Sequence, residues 1–313
     1  MRILSKAEPL GSPSGPVHLA LGVFDGVHLG HQMVILQTVE DARASKGASV
    51  VVTFDRHPAS VVDPANSPGM IQPLWRRLGA IEELSVDAAL VLTFDEELSR
   101  LSAEVFVLRL RKGFGKLAGI CVGSGFAFGH RRSGNVETLT RMGREGGFEV
   151  RGIPPLQLGG DVVSSSRVRE LVGSGDFPGA SRLLGRPYEY SGIVMEGDQI
   201  GRTLGFPTAN LESAGMQLPP TGVYAAVATV QGTRKPAAVN IGVRPTVDGV
   251  PGPVRVEAHV LDFEGDLYGE RVSLEFQRRL RGEEEFPSVE KLAAQIARDV
   301  ESVRRWARNG GLP

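Results

Sequence analysis

One change of texture constrains the fold of this chain more than any other feature. Up to about residue 150, apolar runs alternate with helix-length stretches. The runs HLALGVF (18–24), ASVVVTF (48–54), AALVLTF (88–94) and LAGICVG (117–123) are rich in Val, Leu and Ala and nearly free of charge, and stretches 31–46 and 75–84 between them are long enough for helices. That alternation predicts a parallel sheet covered by helices. From residue 188 the texture differs. YSGIVMEG (190–197), GVYAAVATVQG (222–232), KPAAVNIGV (235–243), VRVEAHVLDF (254–263) and ERVSLEF (270–276) are short strands separated by turns rich in Gly, Pro and Asp. Short strands at close spacing predict a small antiparallel barrel. Val289, Leu292, Ala293, Ile296, Val300 and Val303 then recur at helical spacing, predicting a terminal helix packed on that barrel. The boundary is placed near Gly185 and Arg186, giving an α/β domain over 1–185 and a β-barrel domain with a C-terminal helix over 186–313.

Composition narrows the function classes. The chain has 313 residues, 41% apolar, with a net charge of −1, and neither half carries a marked excess of either sign. A protein that tracks a long polyanion normally shows a basic stripe. None is present, so a small anionic ligand fits better than nucleic acid. The single Cys121 rules out an internal disulfide and suits a reducing cytosol. The first fifteen residues hold no long apolar stretch of the signal-peptide kind, and nothing approaches a membrane span, so a cytoplasmic protein without membrane contact is expected. No oligomeric state is predicted.

In the first half the chemistry-bearing string is GVFDGVHLGH (22–31), directly after the first buried run. Ligands on parallel sheets bind beyond the C-terminal ends of the strands. A helix starting near residue 28 puts His28 and His31 within its first turn, where backbone N–H groups already favour an anion. Two imidazoles there can grip a phosphate and stabilise charge that builds during transfer, and Gly30 leaves space for a nucleotide base. Helix capping or metal binding are the alternatives, although HExxH is absent and no third ligand is evident. The second string is VVSSSRVRE (162–170). Its hydroxyls can cap a helix and its arginines Arg167 and Arg169 can reach phosphate oxygens, but a plain solvated helix explains it as well.

In the second half GDQIGRTLGFPTANL (197–211) is the densest string. Its glycine-containing loop can bring backbone N–H groups close to phosphates, and it is not a Walker A loop. Thr208 offers a hydroxyl and Asn210 a carbonyl, hard oxygen ligands of the kind that suit Mg²⁺. In VRVEAHVLDF, Arg255, Glu257 and His259 share one strand face. Glu257 is a candidate general base for a hydroxyl nucleophile, against the plainer reading of an exposed strand glutamate. NIGVRPT (240–246) is read as a strand end entering a ligand-facing turn.

Together these strings resemble the bacterial bifunctional riboflavin kinase/FAD synthetase family. GVFDGVHLGH and SSSRVR are similar to two motifs of its adenylyltransferase module, an HxGH nucleotidyltransferase. GRTLGFPTAN, GVY (222–224), NIGVRPT, VEAHVLDF, DLYGERVSLEF and LRGEEEF (280–286) resemble its riboflavin kinase module, in order. The resemblance implies a Rossmann-like α/β domain followed by a riboflavin kinase barrel. It implies Glu257, His28 and His31 as catalytic residues, and Mg²⁺ on Thr208 and Asn210 alongside ATP. It implies ATP and flavin contacts at Gly22, Phe24, Asp25, Gly30, Ser164, Ser165, Arg167 and Arg169 in the first domain, and at Gly201, Arg202, Gly205, Pro207, Tyr224, Asn240 and Arg244 in the second. Riboflavin, FMN and ATP would be the partners, with FMN and FAD as substrate and products rather than prosthetic groups. The first domain departs from the pattern at Gly125, where the family usually has Asp or Asn, at Arg56 in place of a proline, and over IQPLWRR (71–77). The alternative left open by those departures is a riboflavin kinase whose first domain serves as scaffold or nucleotide sensor. A flavin-binding regulator without chemistry is the reading from another class.

Overall fold

The computed structural model describes residues 1–10, 15–197, 200–243 and 254–311, without the side chains of 200, 202 and 311. By internal contacts the chain divides into two units, one of residues 1–167 with 183–185, the other of 168–182 with 186–313.

The first unit is built on β1 (Arg2–Leu4), β2 (Val17–Leu21), β3 (Ala48–Phe54), β4 (Ala88–Leu92), β5 (Leu117–Gly123) and β6 (Glu149–Ile153). All six pair in parallel in the order β1-β4-β3-β2-β5-β6. Helices α1 (Leu29–Ala44), α2 (Leu74–Glu82), α3 (Ala103–Phe114) and α4 (Val136–Gly146) lie between the strands. Successive strand residues face opposite sides, and both sides are buried. Val50 and Val52 pack with Leu19, Leu90 and Ile120, whereas Val51 packs with Ala20, Ala89 and Cys121. A sheet covered twice explains why its strands carry apolar residues at every position rather than at every second one. The order reverses at β2, whose neighbours are β3 and β5. The loop leaving β2 therefore opens at the switch point, the usual ligand position in such sheets.

Two further helices follow, α5 (Ser165–Ser174) and α6 (Phe177–Leu184). The sequence reading placed both before the boundary, yet by contacts residues 168–182 go with the barrel unit. Phe177 accounts for this in part. Its ring stacks on Tyr188 (5.9 Å between centroids) and on Phe276 (5.2 Å).

The barrel comprises β7 (Glu189–Met195), β8 (Ala209–Leu211), β9 (Gly222–Val230), β10 (Thr233–Val243), β11 (Val254–Val260) and β12 (Arg271–Arg281). It closes in the order β8-β11-β10-β9-β12-β7, every pair antiparallel. Closure removes the exposed edges that six short strands would otherwise present. Helix α7 (Val289–Trp306) starts at Ser288, whose hydroxyl accepts from the Lys291 N–H, and buries Val300 and Val303 against Ala225 and Leu261. Val289, read as the head of this apolar stripe, is instead 60% exposed.

Candidate active sites

In the first unit the loop after β2 is held in an unusual backbone conformation. Phe24 (φ 53°) and Val27 (φ 41°) join Gly26 (φ 81°) in the left-handed region. Strain of this kind in non-glycine residues persists only where the surroundings enforce it. Gly22 is one cause, since a Cβ there would lie 2.9 Å from the Phe24 ring, so the ring folds back over the bare glycine. Phe24 then stands edge-on to His31 at 5.2 Å. Asp25 is buried, and its carboxylate accepts from the backbone N–H of Ile71 (3.0 Å) and of Gln72 (3.3 Å). This carboxylate, read from the sequence as a ligand contact, holds the segment 71–72 against the loop.

His28 is the N-cap of α1. Its Nδ1 accepts from the His31 N–H at 3.2 Å, so the ring is neutral with its proton on Nε2. The His28 and His31 rings stack with centroids 3.6 Å apart and 18° between planes. A Cβ on Gly30 would sit tightly against the His28 ring at 3.3 Å and in ordinary contact with the Val163 carbonyl at 3.5 Å. The missing side chain gives the His28 ring its room.

Val163 leads into α5. Ser164 Oγ accepts from the Arg167 N–H (3.2 Å), and Ser165 Oγ donates to the Asp25 carbonyl (2.9 Å). Ser165 spends its proton on that carbonyl, whereas Ser164 only accepts and keeps its O–H to donate, beside the N-terminal N–H groups of α5 and α1 that favour an anion. Arg167 pairs with Asp161 at 3.3 Å. Arg169 lies on the same helix, α5, in the stretch that groups by contacts with the barrel unit.

Sequence reasoning missed Arg77. Its side chain is fully buried on α2; Nη1 donates to the Val23 carbonyl at 2.9 Å and Nη2 to the Phe54 carbonyl. Burial holds its guanidinium below the usual arginine range, while Asp25 and Asp55 pull the other way. One side chain thus ties the His-bearing loop to the end of β3. Arg77→Ala leaves two buried carbonyls without donors and should cost about 2–5 kcal/mol, read as a lower urea midpoint for the first unit's transition. An unchanged midpoint would show the bracing is unimportant.

In the barrel, strand register assembles the second site. Asn210 on β8 lies opposite Glu257 on β11, which lies opposite Asn240 on β10. Opposed residues share a face, and all three line one cavity of about 580 Å³ with Gly201, Phe206 and Thr208. The Asn210 Oδ1 is buried and has no hydrogen-bond partner among the described residues. A Cβ on Gly197 would lie 2.2 Å from the Asn210 amide, and one on Gly201 would lie 2.4 Å from the Phe206 carbonyl. These glycines let the loop close on the Thr208–Asn210 segment; Gly205 turns it at φ 83°. Thr208 and Pro207 also border a second cavity of about 480 Å³, walled by Phe263, Leu267 and Tyr268.

Tyr224 is not at the cavity. Its neighbour Val223 faces it, and the period of two turns Tyr224 to the other side of β9. There it is fully buried, edge-on to Phe276 and Phe177, with its hydroxyl donating to the Pro220 carbonyl. Arg244 lies outside the described residues, as does the Arg202 side chain.

A riboflavin kinase family model matches residues 184–307, and an FAD synthetase model matches residues 12–167. The bifunctional riboflavin kinase/FMN adenylyltransferase of Pseudomonas fluorescens is 39% identical over 92% of both chains. This chain belongs to that family. The Bacillus subtilis member is 35% identical over 93% of this chain and 92% of its own, and the Escherichia coli K12 member 34% identical over 92% of each. The crystal structure of the macrolide-efflux protein from Streptococcus pneumoniae shares the fold, with TM-score 0.79 and 30% identity over 97% of this chain and 98% of the other. Among the described residues no helix here is long and apolar enough to cross a membrane.

For a member of this family the donor set fits a divalent cation held largely by substrate. Among the described residues no group of three His, Cys, Asp or Glu side chains converges to hold a metal. Thr208 and Asn210 supply neutral oxygens, and among the described residues the latter's Oδ1 has no hydrogen-bond partner. Mg²⁺ keeps several waters and shares phosphates with such ligands. Gly125, the family's Asp or Asn position, is exposed, and a Cβ there meets no atom within 4 Å.

Reasoning from sequence also missed the far wall of the larger cavity. Arg281 makes a bidentate pair with buried Asp299 (Nε 3.0 Å, Nη2 2.8 Å), Gln295 donates to the same carboxylate (2.9 Å), and the guanidinium lies 5.7 Å from the Phe286 ring. The signal was present in LRGEEEF, but the partner Asp299 sits 18 residues on.

Proposed function

We propose that the chain phosphorylates riboflavin with ATP to give FMN, then joins FMN to the AMP moiety of a second ATP, giving FAD and pyrophosphate. The observation that carries the first step is the position of Thr208, which borders two adjoining cavities of the barrel unit while Asn210 and Glu257 line the larger of them. The larger cavity, walled by Phe206, Phe286 and Ile296, suits the isoalloxazine ring, and ATP takes the other. Glu257 accepts the proton of the ribityl 5′-hydroxyl as that oxygen attacks the γ-phosphorus and the bond to ADP breaks in line. Thr208 and Asn210 hold Mg²⁺, whose charge offsets that of the phosphates. Most of the remaining work is positioning.

The second step needs less acid–base chemistry, because the FMN phosphate is already an anionic nucleophile. An oxygen of that phosphate attacks the α-phosphorus of ATP, and pyrophosphate leaves. His28 and His31, with the N–H groups of two helix N-termini, stabilise the charge that develops. We place both steps in the cytosol, where Cys121 stays inert, being buried with its thiol pushed up to about 11 by burial.

Purified protein given riboflavin, ATP and Mg²⁺ should form FMN and then FAD. Absence of FMN overturns the kinase step. FMN formation with no FAD, even when FMN is supplied, returns the kinase-only alternative. Thr208→Ala and Asn210→Ala should each raise the Mg²⁺ needed for half-maximal FMN formation by about 10- to 100-fold and leave conversion of supplied FMN unchanged. Kinase rates and Mg²⁺ dependence equal to wild type in both variants would refute the ligand assignment.

A further inference from the structure

We infer that His259 is a positioning residue for phosphoryl transfer, fixing the Pro207–Thr208 backbone through its Nδ1 proton; the inference rests on the kinase reading above. The reason lies in how the ladder between β8 and β11 ends. Its last pair is Ala209 with Ala258. Continuing the register would bring Thr208 opposite His259, but the chain there comes from Pro207, which has no N–H to offer a neighbouring strand. Where the backbone ladder stops, a side chain takes over. His259 Nδ1 lies 2.8 Å from the Pro207 carbonyl.

A carbonyl oxygen only accepts, so Nδ1 must donate, and the neutral ring carries its proton on Nδ1 rather than Nε2. Phe206 stands edge-on to the imidazole, 5.7 Å between centroids at 84°, and fixes the ring plane from the preceding residue. His259 lies two residues beyond Glu257 on the same strand face, and both line the larger cavity. The hydrogen bond therefore sets where Thr208, borne by the next residue after Pro207, stands relative to Glu257, borne by the same strand as the ring. Those are the two groups that must flank the transferred phosphoryl group. Nothing in this arrangement requires His259 to touch substrate. Its effect should fall on geometry at the reacting atoms, to which transfer rates are sensitive.

Three substitutions in the full-length chain separate this role from a general packing role. In His259→Asn the amide nitrogen occupies about the place of Nδ1; in His259→Gln it reaches instead toward the place of Nε2; His259→Ala removes both. His259→Ala and His259→Gln should lower kcat for riboflavin phosphorylation by about 10- to 100-fold, with KM for riboflavin little changed. His259→Asn should recover most of the rate. The unchanged KM for riboflavin serves as the folding control for the barrel, and conversion of supplied FMN to FAD, an activity of the other unit, should match wild type in all three. Equal rates in the Asn and Ala variants, or wild-type kcat in the Ala variant, overturn the proposal. Long-range ¹H–¹⁵N correlation on histidine-labelled wild-type protein adds an arm that needs no turnover. The neutral ring of residue 259 should show its proton on Nδ1, against the Nε2 preference of free imidazole side chains. A proton on Nε2 overturns the inference even if FMN is made. A wild-type protein that makes no FMN counts instead against the kinase reading, and the tautomer still decides whether the ring holds Pro207.

Discussion

Glu257→Gln should slow riboflavin phosphorylation by about 10²- to 10⁴-fold, the usual range for loss of a positioned general base, while riboflavin still binds. The amide has the shape of the carboxylate and keeps a hydrogen-bonding oxygen, so the row Asn210–Glu257–Asn240 across β8, β11 and β10 should stay in register. What it lacks is a lone pair basic enough to take the hydroxyl proton. Saturation with riboflavin at fixed ATP therefore separates the two effects, kcat falling and KM holding. The same preparation should turn supplied FMN into FAD at the wild-type rate, because Glu257 belongs to the barrel unit and the stacked histidines to the other. A kinase rate within about threefold of wild type would remove Glu257 from the role of base and leave positioning as the whole of catalysis. A rise in KM with kcat unchanged would make it a flavin contact.

What could be read beforehand depended on whether a residue's partner was another recognisable pattern or an anonymous stretch of backbone. The buried strands β2 to β5 were legible because a doubly covered sheet leaves a continuous apolar run. The edge strands β1 and β6 were not. Arg2–Leu4 is three residues long, and Glu149–Ile153 is largely exposed, so neither shows that run. Glu257 and Asn210 were legible as chemistry, and their meeting across β8 and β11 became visible only with the register. Tyr224 was taken for a ligand contact because it ends a matched string, although the alternation along β9 already set Val223 and Tyr224 on opposite faces. Arg77 and His259 could not be assigned at all. Each one donates to main-chain carbonyls, of Val23 and Phe54 for Arg77 and of Pro207 for His259, and a carbonyl has no signature in the sequence. Asp25, Ser164 and Ser165 show the converse. Their polar atoms also bond the fold's own N–H and C=O groups, a second use that a matched motif does not reveal.

His28→Asn combined with His31→Ala should reduce FAD formation from supplied FMN by about 10²-fold or more, with riboflavin phosphorylation unchanged. The choice of Asn matters. His28 is both the N-cap of α1 and one of the two stacked rings, so an Ala variant would mix a lost cap, worth about 1 kcal/mol, with lost chemistry. Asn is among the best N-cap residues, and its Oδ1 can accept from the backbone N–H of residue 31 as Nδ1 of the histidine does. Capping is kept and the Nε2–H donor is lost. With Nδ1 occupied by that backbone bond, Nε2–H is the one proton the neutral His28 ring has for a phosphate oxygen, so its removal strips the α-phosphate of a donor at the helix N-terminus. His31→Ala removes the stacked partner and the edge-on contact with Phe24. Melting of the first unit should stay close to wild type for His28→Asn alone, and FAD formation should already be impaired in it. If that single variant makes FAD at the wild-type rate, His28 is a cap and nothing more, and the charge in transfer must be met by His31 and the two helix N-termini alone.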